Sequence, residues 1–118
     1  MKIKQLLYGF FTFIPGVNKL RKKPTGGTIS ARYCYSVWLR HLVMASNNKL
    51  NTSPKIVAEL GPGDSLGIGI ASILTGSDSY YAFDIVKYAN IENNLLIFDE
   101  LVELFKKKID IPGEEEFP

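Results

Sequence analysis

A glycine-rich turn between two apolar stretches constrains this chain more than any other feature. Lys55-Ile56-Val57-Ala58-Glu59-Leu60 is apolar except at its ends and at Glu59, the pattern of a short buried strand. Gly61-Pro62-Gly63-Asp64 follows at once. From Ser65 to about Thr75 the apolar residues recur at helical spacing, which predicts a helix with Leu66, Ile70, Ile73 and Leu74 as its buried stripe. Gly67 and Gly69 each weaken a helix by about 1 kcal/mol, so their presence predicts close approach of the backbone to a strand or a ligand. Gly76 ends the helix, and Ser79-Tyr80-Tyr81-Ala82-Phe83 reads as a second strand with Asp84 at its tip. Strand, glycine turn, helix, strand and terminal acid form the first half of a nucleotide-binding α/β unit.

Charge narrows the ligand. A dinucleotide site holds pyrophosphate on unoccupied backbone N–H groups at the start of the helix. Here Glu59 precedes the first glycine, Asp64 follows the second, and Pro62 has no N–H. Two carboxylates repel pyrophosphate and suit a phosphate-free, cationic ligand. S-adenosylmethionine, with its sulfonium, ammonium, ribose and adenine, is such a ligand.

The string Val57-Ala58-Glu59-Leu60-Gly61-Pro62-Gly63-Asp64-Ser65-Leu66-Gly67 resembles the first motif of the Rossmann-like (class I) S-adenosylmethionine-dependent methyltransferases. Tyr81-Ala82-Phe83-Asp84 resembles the acidic end of their second strand. The resemblance covers about residues 55–108. It implies an α/β chain with a partial Rossmann-like fold, the β-α-β-α of the cofactor half, preceded by N-terminal helices. It also implies S-adenosyl-L-methionine as cofactor and an unidentified methyl acceptor, a small molecule or a saccharide. Carried over by position, Gly61, Pro62 and Gly63 form the turn beside the methionine and ribose. Glu59, Asp64 and Ser65 organise that turn, Asp84 accepts from the ribose hydroxyls, and Ile85 lies near the adenine. Ser65 departs from the pattern, since many members carry glycine there and this chain has Gly67 two residues later. No residue stands out as a catalytic base, and one histidine, His41, and one cysteine, Cys34, do not make a metal centre.

Outside this unit the chain divides by charge. Residues 1–58 hold ten Lys and Arg and no acid, while residues 59–118 hold all twelve acids against four lysines. Leu6 to Val17 is apolar and runs into Lys19, Arg21, Lys22 and Lys23. It is shorter than the roughly 20 residues that span a bilayer and has no cleavage site of a secretory leader. Residues 1–27 are thus a segment that either packs on the domain or lies on a membrane surface through residues 1–23, and the expected location is cytoplasmic. Residues 28–118 are the cofactor domain, incomplete because two strands do not make a full sheet. Thr28 or Ser30 is expected to cap a helix running to about Ser46, whose Arg32 and Tyr33 are further candidates for a cofactor carboxylate. Asn90 is expected to cap a helix from Ile91 to about Lys108, with Ile91, Leu95, Phe98, Val102, Phe105 and Ile109 as its apolar stripe. Lys106 to Lys108 read as helix-end charges, not as a nucleic-acid patch. Two other functions fit parts of the pattern: an NAD(P)- or flavin-dependent oxidoreductase, and a non-catalytic membrane-associated binding module.

Overall fold

The computed structural model describes residues 27–111 and residue 113. The apolar and basic stretch from Leu6 to Lys23 lies outside the described residues, and so does its expected membrane contact. A 3-10 turn at Gly27–Ile29 leads into α1 (Ala31–Asn47), then β1 (Ile56–Leu60), α2 (Gly67–Leu74), β2 (Ser79–Phe83) and α3 (Ile91–Lys107). The result is a mixed α/β arrangement in which β1 and β2 pair in parallel, Ile56 opposite Ser79 and Leu60 opposite Phe83. Among the described residues no helix is long and apolar enough to cross a membrane.

Each helix start has a local cause. Ser30, in extended backbone, accepts the Tyr33 N–H at its hydroxyl, and Asn90 does the same for Asn93 at 2.8 Å. Of the two candidate caps for α1, Ser30 takes the role, and Thr28 turns to the glycine loop instead. α3 ends at Lys108 in the left-handed conformation, with Glu92 in its first turn and Lys106 and Lys107 in its last.

The parallel crossover places all three helices on one side of the sheet. α2 packs on both strands, and α1 and α3 pack on α2 and on each other. The core is Ala31, Cys34, Tyr35 and Trp38 of α1, Ala71 of α2, and Ile97 and Leu101 of α3. Two polar tips fasten its edges. Tyr35 Oη donates to the Ile109 carbonyl at 2.6 Å while its ring meets Phe105 edge-on, and Trp38 Nε1–H donates to Thr75 Oγ1 at 2.8 Å.

Two expected apolar stripes are corrected by this packing. On α2 the buried residues are Gly67, Gly69, Ala71 and Ser72, whereas Ile73 and Leu74 are exposed. A helix that is apolar all round offers no polar face to orient it, and the small face wins because it lets α2 approach α1 and β2 most closely. A side-chain carbon at Gly69 would overlap the Tyr80 ring, and one at Gly67 would overlap Cys34 Sγ. On α3 the buried residues are Ile97 and Leu101, with Leu104 and Phe105 beside them, while Ile91, Leu95 and Phe98 are exposed. The opposite sheet face is bare: Ile56 and Leu60 of β1 and Tyr81 and Phe83 of β2, matched by register, are all exposed.

Candidate functional site

The parallel pairing brings the carboxyl ends of β1 and β2 together, which is where open α/β sheets bind ligands. The ladder continues one residue past β1, with Gly61 N–H donating to the Phe83 carbonyl at 2.8 Å. The chain then reverses through Gly61 and Gly63, at φ of +70° and +76°, a conformation that residues with a β-carbon rarely adopt. Open space surrounds Gly61, so its requirement is conformational rather than steric.

A cavity of about 360 Å³ opens at this edge, within the range of small-molecule sites. Its wall includes Pro62, Gly63 and Leu66 from the turn, Ala82 and Asp84 from the end of β2, and Lys87, Tyr88 and Asn94 from the loop and helix beyond. The Asp84 carboxylate accepts the Val86 N–H at Oδ1, 3.3 Å away, an Asx turn that holds it at the strand tip.

Three of the eight residues expected from the sequence, Pro62, Gly63 and Asp84, line this cavity. Gly61 shapes the turn without lining it. Glu59 is half-buried in β1 and accepts from Tyr80 Oη, so it braces the strands below the turn. Asp64 N–H donates to Thr28 Oγ1 at 3.0 Å. Buried Ser65 donates from Oγ to the Thr28 carbonyl and accepts the Gly67 N–H at 3.1 Å. Ile85 is 99% exposed and stands outside the cavity wall. Arg32 points elsewhere, donating to the Asp110 carbonyl at 2.8 Å.

Lys87, Tyr88 and Asn94 were not legible as site residues. The loop 84–90 has no periodicity, and Asn94 looks like any polar position of an amphipathic helix. Its Oδ1 in fact accepts the Leu66 N–H at 2.9 Å, tying α3 to the residue that starts α2. Behind the turn sits Cys34, fully buried, whose thiol donates weakly to the Thr28 carbonyl. Burial pushes that thiol up to about 11, against a hydrogen bond from Ser65 that lowers it and with the charge of Glu59 adding to the rise. Such a thiol is inert at neutral pH, and its place is structural. Among the described residues no three His, Cys, Asp or Glu side chains are grouped to hold a metal ion.

Comparison of the chain with protein-family models, with curated proteins and with solved structures finds no match.

Proposed function

We propose that the edge formed by Gly61–Gly63 and Asp84 binds S-adenosylmethionine, and that the chain carries the cofactor half of a methyltransferase with a Rossmann-like fold. The observation that carries this reading is one carboxylate in a cavity beside an acid-flanked turn. Asp84 lines the cavity at the tip of β2, while Glu59 and Asp64, outside its wall, precede and follow the left-handed turn in the sequence. A carboxylate at the second strand's tip fits two vicinal ribose hydroxyls. Carboxylates beside the turn favour a cation and disfavour pyrophosphate.

The donor set suits this cofactor. Asp84 would accept from the ribose hydroxyls, Gly63 and Pro62 would let backbone lie against the ligand, and Ala82 and Tyr88 would contribute apolar wall. When bound, the cofactor supplies a methyl group on a sulfonium, ready for direct displacement by a nucleophilic acceptor. The part of this chain is to hold and orient, which is the main contribution to such a transfer. Glu59 and Tyr80 keep the turn fixed relative to β2, and Asn94 keeps α3 fixed relative to α2.

Calorimetric titration with S-adenosylhomocysteine and with NAD tests the reading. Binding of the first, weakened in Asp84→Ala, supports it. Binding of NAD with no response to S-adenosylhomocysteine refutes it.

A further inference from the structure

We propose that Asn94 selects the class of ligand at this cavity, closing the start of α2 to phosphate and presenting a donor to whatever occupies the space. The proposal rests on the reading of the cavity as the ligand site, and it goes on to say how that site discriminates.

A glycine turn before a helix holds a phosphate through N–H groups that have no other partner. In this turn three of those groups are already engaged. Gly61 N–H donates to the Phe83 carbonyl, Asp64 N–H to Thr28 Oγ1, and Gly67 N–H to Ser65 Oγ. Pro62 has none. Leu66 stands at the start of α2 and lines the cavity, so its N–H is a donor placed for a bound anion. Asn94 takes that donor, reaching across from α3 to accept it at 2.9 Å.

The same bond fixes the carboxamide. Only Oδ1 can accept an N–H, so Oδ1 is turned to Leu66 and Nδ2 keeps both of its donors. Asn94 lines the cavity together with Asp84, whose carboxylate is purely acceptor. A ligand therefore meets an acceptor at the tip of β2 and a donor on α3, with the Leu66 N–H between them already taken. Hydroxyls toward Asp84 and a ring nitrogen or carbonyl toward Asn94 match this arrangement. A diphosphate is itself acceptor-only and anionic: it finds no donor at Asp84, which repels it.

The test uses the full chain and two probes, inorganic pyrophosphate and S-adenosylhomocysteine, at constant ionic strength. Asn94→Ala uncovers the Leu66 N–H and is expected to bind pyrophosphate at least about tenfold more tightly than the parent, the scale of one recovered charge-assisted hydrogen bond. Asn94→Asp keeps an acceptor on that N–H and is expected to show no gain. A merely structural asparagine would weaken the fold in Asn94→Ala without creating affinity for an anion. A folded Asn94→Ala with no gain overturns the proposal, as does a parent that binds pyrophosphate equally well. Should the alanine variant lose its cooperative melting transition, Asn94→Ser, which is too short to reach Leu66, carries the same expectation. A gain of pyrophosphate affinity in a protein that ignores S-adenosylhomocysteine would uphold the role of Asn94 and sink the cofactor reading alone.

Discussion

Tyr80 Oη donates to Glu59 Oε2 at 2.5 Å, joining β2 to β1 two residues before the turn begins. The two residues are diagonal neighbours, since Tyr80 lies opposite Val57 and Glu59 opposite Ala82. The Tyr80 ring also fills the space left by Gly69, so one side chain fastens both strands to α2. Burial raises the Tyr80 phenol well above its ordinary value, and the bond to Glu59 raises it further. At neutral pH it stays protonated and donates.

Removing that donor tests the brace. Tyr80→Phe keeps the ring against Gly69 and leaves the half-buried Glu59 carboxylate unmatched, at an expected cost of about 1–3 kcal/mol in urea unfolding. Glu59→Gln keeps an acceptor for the hydroxyl and should cost less than the tyrosine change. Equal stability of Tyr80→Phe and the parent would show that the bond carries no weight.

Alkaline pH should weaken the fold in two stages. Cys34 has its folded value raised from 9.0 to about 11, so its contribution is fully present below pH 9 and is lost as pH rises toward 11. Tyr80, also raised, contributes fully below about pH 10 and fades above it. Unfolding free energy measured between pH 8 and 11 should fall, with a slope that approaches roughly 1.4 kcal/mol per pH unit for one proton. Cys34→Ala should flatten the part of that fall between pH 9 and 10. An Ellman assay at pH 8 should find the thiol reactive only in denaturant.

Two glycines should fail for opposite reasons. Gly69→Ala improves helix propensity by about 1 kcal/mol, yet its methyl group would overlap the Tyr80 ring, so a net loss of about 1–3 kcal/mol is expected. Gly61→Val meets no neighbour, and its cost, about 1–3 kcal/mol, comes from forcing a β-branched residue to positive φ. Thermal melts of both variants check the signs.

The strands and helix ends were legible because their signals are local. β2 runs over the expected residues Ser79–Phe83, β1 starts one residue later than expected at Ile56, and Ser30 and Asn90 cap as hydroxyl and amide side chains do. The burial of α2 and α3 was not legible. Gly67–Leu74 contains no charged residue to mark an outer face. α3 carries two overlapping apolar stripes, one through Leu95 and Phe98 and one through Ile97, Leu101 and Leu104, and only contact with α1 and α2 chooses the second. At the site, the turn and Asp84 were readable from glycine spacing and charge. The part of Thr28 was not, because its bonds to Asp64 and Ser65 span 36 and 37 positions and no local pattern announces them.

The difference between the packed helix face and the exposed sheet face can be measured. Leu101→Ala, in the core, should cost about 2–5 kcal/mol, whereas Leu60→Ser, on the bare sheet face at 85% exposure, should stay within about 0.5 kcal/mol. A large loss at Leu60 would mean that its face is covered in solution.

The central claim is that the edge between Gly61 and Asp84 takes a phosphate-free cofactor. The most direct measurement is a nitrogen-15 NMR titration of the labelled chain with S-adenosylhomocysteine and, separately, with NAD. The account predicts shifts confined to the amides of Gly61–Leu66, Asp84–Tyr88 and Asn94 with the first ligand, and none there with the second. Shifts at these amides with NAD, and silence with S-adenosylhomocysteine, would contradict it.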